Sequence, residues 1–520
     1  MARGKTMRAG MLVSIIFAVS ALLGFLREIV LAAYFGTSSE IDALLVAMLI
    51  PNFFLGLLGE ASLGAAVVPV FLRYIAPQAT PDQRRIVGSA FALISMVLVP
   101  LAAIAILLAP ALAKIFAPGF SEDGLRLTAL LMRIMLPSVL FLGLANFITG
   151  ILHSFRRFGA AAASGVIWNL AIVVTTVPLA QRFGIVAPAL GVLLGSMLQL
   201  AIMLPSLSKS GFLTAFGLSF REPALARIWT VFWPILAGAL LVQLMQIADK
   251  VIASFLPAGS IAALNYASRI AGGPSRIFAM AAAVVLFPSF AKDVSDETGD
   301  IAQRVARGFN VTALLTLPWA ALFIALGTPI VAVLLQRGAF DARATLVVAL
   351  PLAVYSVGKF ADGISTMLNN AFYSHHDSRT PVTIDIATKV LRIVLILALV
   401  GRFGYVALPL GHVIGVNVAL LLLLAFLRKR IPELDLRGIG RTFLKLVVAS
   451  AVCGIVAGLA FTPISRVIGT ATTLQAAGSL SIAFLLALAA YLSAATALGV
   501  REVGEMAGRV RALIARSSPA

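Results

Sequence analysis

Long apolar runs recur along nearly the whole of this 520-residue chain, and they restrict its fold more than any motif does. A bilayer core takes roughly 20 apolar residues per crossing helix, because inside hydrocarbon each backbone N–H and C=O must find its partner within the helix. Broken at charged and Pro/Gly clusters, the chain divides into fourteen runs, near 10–35, 42–72, 86–117, 127–152, 160–181, 184–207, 231–256, 261–290, 308–335, 344–374, 381–400, 404–427, 443–463 and 474–499. Little is left for a soluble domain. Composition agrees, since 61% of residues are hydrophobic and 12% charged, where a soluble domain carries about 25% charged residues. The sequence predicts an all-α polytopic membrane protein.

The net charge of +19 is read against the membrane, because no basic domain, zinc-ligand cluster or aromatic RNA-binding signature supports nucleic acid as a partner. Cytoplasmic loops retain Lys and Arg. With the N-terminus inside, alternate connections hold 25 basic residues on the inner side and 6 on the outer, which predicts both termini in the cytoplasm. The basic start, residues 1–10, also fits a signal peptide, but the apolar run continues through Arg27-Glu28 without a small-residue cleavage site and reads as a retained first helix. Cys453 can form no intrachain disulfide, and His153, His375, His376 and His412 lack metal-ligand spacing. Gly4-Lys5-Thr6 lacks the upstream glycine and strand of a phosphate cradle, so ATP hydrolysis by that route is excluded.

An internal repeat organises the spans. Residues 182–204 and 402–424 are identical at ten of 23 positions, at an offset of 220 that also superimposes Phe120 on Phe340 and Ser154 on Ser374. An offset of 221 places Glu28-Ile-Val-Leu-Ala on Asp249-Lys-Val-Ile-Ala. Two six-helix halves follow, and six being even, they form parallel lobes that enter the membrane in the same direction. The predicted organisation is an N-lobe at 1–207, a cytoplasmic amphipathic connection at 208–228, a C-lobe at 229–427, a basic loop at 428–442, two C-terminal helices at 443–499 and a basic tail at 500–520. Parallel-repeat pairs are a transporter architecture, with substrate held between the halves.

Nine basic residues fall within spans, Arg27, Lys114, Arg133, Lys250, Arg269, Arg276, Lys359, Lys389 and Arg392, with five acids, Glu28, Glu60, Asp249, Asp362 and Asp385. Each costs about 2.5 to 3.5 kcal/mol at mid-bilayer unless paired or wet. Lys359 with Asp362, and Asp385 with Lys389, have the i,i+3 and i,i+4 spacing of intrahelical pairs. Arg27 and Arg269 each stand eight residues from the outer end of a span, roughly 12 Å deep. Guanidinium forks suit a phosphate or diphosphate, so an anionic substrate is expected. Asp385, Lys389 and Arg392 share one helical face, which either adds positive charge to a cavity or pins the helix through Asp362 or Lys359.

These residues resemble a known family, the MurJ (MviN) lipid II flippases of the MOP superfamily. The likeness covers about residues 14–430 and rests on SALLGFLREIVLAAYFG (20–36), IDALLVAMLIPN (41–52), GEASLGAAVVPVF (59–71), ASFLPAGSIAALNYASRI (253–270), RGAF (337–340) and AFYSHHDSRTPV (371–382). It implies twelve helices in two lobes, two more forming a hydrophobic groove, and transport of an undecaprenyl-diphosphate-linked peptidoglycan precursor from the inner to the outer leaflet of the bacterial inner membrane. It also implies that Arg27, Glu28, Asp42, Glu60 and Arg269 are cavity residues, and that Asp249 is the acid that binds a sodium ion in some members. Three family arginine or basic positions are replaced, by Ser20-Ala21, by Leu49 and by Leu55-Gly56; Lys389 and Arg392 are candidates to restore that charge.

The leading expectation is a flippase without covalent chemistry or cofactor, driven by sodium or by membrane potential, with a lipid-linked anionic substrate and bacterial membrane lipids as its partners. Two alternatives stay open. One is a flippase for another lipid-linked glycan, and the other a non-transporting scaffold that binds cell-wall synthesis proteins.

Overall fold

The computed structural model describes residues 2–58, 81–155, 157–208, 243–274, 301–374 and 377–505, and every regular element among them is helical. In chain order these are α1 (Ala2–Phe35), α2 (Ser39–Ala47), α3 (Leu49–Leu58), α4 (Pro81–Leu107), α5 (Ala109–Phe116), α6 (Glu122–Met135), α7 (Ser138–Ser154), α8 (Gly159–Phe183) and α9 (Val186–Ser208). Then come α10 (243–254), α11 (260–274), α12 (Ile301–Leu335), α13 (Ala342–Ser374), α14 (Arg379–Phe403), α15 (Ala407–Arg430), α16 (Leu436–Ile468) and α17 (Thr473–Ala497). Nine described stretches are long and apolar enough to cross a membrane, and the bent pair α6–α7 makes a tenth. One of the nine, Arg379–Arg430, holds two helices parted by the 3₁₀ turn Gly404–Val406. The remaining expected spans, 42–72, 231–256 and 261–290, run beyond the described residues, as do the 208–228 connection and most of the tail.

Among the described residues four expected spans are broken rather than straight, 42–72 at Met48 and 308–335 at Leu326 among them. The span 86–117 ends one helix at Leu107 and starts another at Ala109, with Pro110 in the new first turn. The span 127–152 bends by 42° between α6 and α7, where Pro137 supplies no N–H to the helical ladder.

The chain folds as two compact units. Unit 1 comprises Met1–Ala262 with Arg337–Phe340. Its interior includes Val87, Phe147, Ile148, Ile151 and Met203, contributed by α4, α7 and α9. Gly191 and Gly195 of α9 lie against α8, where a β-carbon at position 191 would come within 2.7 Å of the Ile172 Cα. Small residues four apart let membrane helices approach this closely.

Unit 2 comprises Ala263–Gln336 and Asp341–Ala520. Gly411 of α15 packs on Ile396 and on the Arg392 carbonyl of α14, and Gly415 on the Arg392 β-carbon and the Thr388 carbonyl. Beside this pair, α16 and α17 pack on each other and on α12. The Tyr491 hydroxyl donates to the Leu314 carbonyl at 2.8 Å, and the rings of Phe309, Phe360 and Phe443 form a mutually contacting cluster. Outward residues of these helices are themselves apolar, as Leu459, Val467 and Leu485 show, which suits a hydrocarbon surrounding.

Candidate functional site

In unit 1 the unbroken apolar pattern of α1 is interrupted at Arg27-Glu28, and both side chains are buried, at 5% and 3% exposure. Close contact with α8 makes this possible. Gly165 of α8 leaves room for Ser20, and Gly24 of α1 leaves room for the Asn169 amide. Arg27 Nη2 pairs with Glu28 Oε1 at 2.6 Å, Nη1 donates to Asn169 Oδ1 at 3.2 Å, and the guanidinium lies 5.1 Å over the Trp168 ring. Asn169 is oriented in turn, because its amide nitrogen donates to the Gly165 carbonyl at 2.9 Å. Among the described residues the Arg27 Nε–H has no hydrogen-bond partner. The cluster is a charge-neutral ion pair on an aromatic face, holding one guanidinium donor in reserve.

Asp42 has different work. It is 2% exposed, and its carboxylate accepts the backbone N–H of Gly259 at 2.6 Å and of Ala262 at 2.7 Å. These are donors that a helix start leaves without intrahelical partners, so Asp42 caps α11 from a distant part of the sequence. Gly259 permits it, with φ +88 and no side chain to strike the Thr37 carbonyl. Nearby, the Ala339 N–H donates to the Ala33 carbonyl at 2.7 Å and the Gly119 N–H to Ser254 Oγ at 3.1 Å. The turns near 36, 119, 256 and 338 therefore meet at one end of unit 1. All four are connections that the charge pattern places on the outer side.

Unit 2 contains the intrahelical pairs expected from spacing. Lys359 Nζ lies 2.8 Å from Asp362 Oδ2, and Lys389 Nζ 2.5 Å from Asp385 Oδ2. Asp362 also faces His412 Nε2 of α15 at 3.4 Å. Arg392 is half-buried with its stem against α15. At the ends of the helices, Arg430 pairs with Asp377 at 2.6 Å, Arg307 with Glu505, and Asn310 donates to Glu502 at 2.6 Å. Asp377 also receives the Thr380 hydroxyl and N–H, and these hydrogen bonds, helped by Arg430, hold its carboxyl below the usual carboxylate range.

Of the candidate residues, Arg27 and Glu28 are brought together, and Asp42 is joined to α11 rather than turned outward. Arg269 is exposed on α11, whereas Asp249 and Lys389 are half-buried. Glu60 lies outside the described residues. Among the described residues no group of three His, Cys, Asp or Glu gathers to hold a metal. Sequence reasoning missed Asn169, Trp168 and His412. An amide or an imidazole inside an apolar run was the available signal.

The family model described as "Lipid II flippase MurJ" matches residues 31–475. The lipid II flippase MurJ of Burkholderia cenocepacia is 30% identical over 454 residues, 86% of this chain and 88% of that protein. The probable lipid II flippase MurJ of Bdellovibrio bacteriovorus is 27% identical over 97% of both chains. Among solved structures, a lipid II flippase MurJ in an inward closed conformation superposes with a TM-score of 0.77 at 23% identity, covering 92% of this chain and 98% of the other. An inward-facing multidrug resistance MATE transporter of the MOP superfamily gives 0.65 at 16% identity, covering 81% and 98%.

Proposed function

The chain belongs to the lipid II flippase MurJ family, and from that membership we propose that it moves lipid II from the inner to the outer leaflet of the bacterial inner membrane, crossing that membrane many times with both termini in the cytoplasm. The cycle is alternating access, the mode of parallel-repeat transporters. One observation carries the substrate reading. The buried Arg27 donates a 3.2 Å hydrogen bond to the uncharged amide oxygen of Asn169 and keeps Nε–H in reserve. A diphosphate oxygen carries negative charge where the amide oxygen carries none, so it binds the guanidinium more strongly and displaces the amide. Glu28 balances the guanidinium charge.

Asp42 then serves as a positioning residue, Arg269, Lys389 and Arg392 add positive charge for the headgroup, and Asp249 is the carboxylate for a coupling sodium ion. Loss of arginine at Ser20-Ala21 and Leu55-Gly56 favours one second reading, a related lipid-linked glycan as cargo. Fluorescent lipid II transfer in vesicles, run beside other polyprenyl-diphosphate glycans, tests both. Transfer of lipid II that fails with Arg27→Ala in folded protein is the expected result. Movement of another glycan alone would replace lipid II, and movement of neither would leave the scaffold.

A further inference from the structure

Asp362 in α13 receives two nitrogen partners, an ammonium and an imidazole, on a single oxygen. Lys359 Nζ is 2.8 Å and His412 Nε2 3.4 Å from Oδ2, and the three side chains are 17% to 33% exposed. Gly358 brings the helices together, since a β-carbon there would touch Val413, Val416 and the His412 ring. The Tyr355 ring meets the imidazole edge-on at 5.8 Å between centroids. Lys359 also lines a small cavity with Thr316, Trp319, Phe323 and Ser356, with room for about one water.

The charge count separates this cluster from an ordinary structural pair. Lys359 already neutralises Asp362, so a neutral imidazole leaves the site uncharged, and one proton on His412 makes it +1. Histidine is the side chain that changes charge between pH 5 and 8. Among the described residues the other groups facing it are few. From α13 they are Tyr355, Lys359 and Asp362; α14 contributes Arg392, whose stem packs at Gly411 and Gly415. On α15 itself the next ionisable residue is Arg428.

We propose that His412, Asp362 and Lys359 form a proton-binding site that couples proton entry to substrate movement. The proton arrives from water, adds to the free ring nitrogen of His412 while Nε2–H donates to Asp362 Oδ2, and returns to water on release. No other bond forms or breaks. The coupling rests on the flippase reading above, whereas the binding of the proton does not.

Two measurements test it. Titration of isotope-labelled histidine in the purified wild type by NMR should show a resonance that changes charge between pH 5 and 8, is missing in His412→Gln and is displaced in Asp362→Asn. In vesicles, a gradient acid on the side toward which lipid II moves should speed wild-type transfer about fivefold or more, and His412→Gln should lose that response. A wild-type His412 resonance, assigned by its absence from folded His412→Gln, that does not titrate overturns the site. Titration accompanied by an equal gradient response in His412→Gln, or by a response to sodium alone, overturns the coupling. Wild type that moves no lipid II under any gradient defeats the flippase reading instead, and the titration still decides the proton site.

Discussion

Gly184 and Gly404 lie 220 residues apart and end their helices with the same backbone, φ 53 and ψ −136 in one, φ 54 and ψ −136 in the other. The correspondence extends in both directions. Helices α8 and α14 begin and end at that offset, and Arg182 and Arg402 lie over the rings of Phe183 and Phe403. The Arg157 N–H closes on the Leu152 carbonyl as the Asp377 N–H closes on that of Phe372. Ser121 and Asp341 cap the two following helices through the N–H three residues on. Gly191 and Gly411, and Gly195 and Gly415, occupy matching helix contacts.

Equal damage in the two copies is the first expectation. Gly191→Leu and Gly411→Leu each force a branched side chain against a neighbouring helix, and overpacking of this kind costs about 1 to 3 kcal/mol. Both should lower the melting temperature in detergent while still inserting. A variant that melts with the wild type would show that its helix contact is looser than described.

Arg27→Lys keeps charge but not the planar fork, so transport should fall by at least about tenfold with folding intact. Asn169→Ala should fall less, because Arg27 keeps Glu28 and Trp168 as restraints. Lipid II export in cells depleted of their own flippase reads both. Full export by Arg27→Lys would mean that point charge suffices.

Removing the Asp42 cap should destabilise the protein by about 1 to 3 kcal/mol, as expected when buried backbone donors lose their acceptor. Asp42→Asn retains one acceptor oxygen and should lie between Asp42→Ala and wild type. Thermal unfolding compares the three, and an Asp42→Ala protein as stable as wild type would contradict the cap.

At Asp377 the folded carboxyl is held below its ordinary value of 3.8. Its contribution to stability is therefore fully present above pH 3.8 and fades as pH falls through the lower folded value. Stability followed from pH 6 downward should be flat in this respect to about pH 4, and Asp377→Asn should reduce the loss below it. Identical acid profiles would remove Asp377 from the list of groups that matter.

Among side-chain contacts, what the sequence made legible was local. Lys359–Asp362 and Asp385–Lys389 form as drawn because both partners ride on one helix, where spacing alone fixes distance. Helix ends near Phe35, Phe183, Leu335 and Ala497 fall within a few residues of the expected span ends, because charge and glycine mark them. Asn169 beside Arg27, His412 beside Asp362 and Asp42 at the start of α11 were not legible, since each joins residues 50 to 220 positions apart. Such contacts depend on which face of each helix turns inward. Hydropathy is nearly uniform around helices such as α8 and α15, so the usual amphipathic guide to that face is missing here.

The bend at Pro137 belongs to one copy of the repeat only. Its counterpart at offset 220 is Val357, in the middle of the continuous helix α13. At this one span the two copies of the repeat have diverged, the first into a bent pair and the second into a single helix. A change of angle in the first copy has its natural place at Leu136-Pro137, whereas in the second the nearest missing backbone donor is Pro351, six residues before Val357.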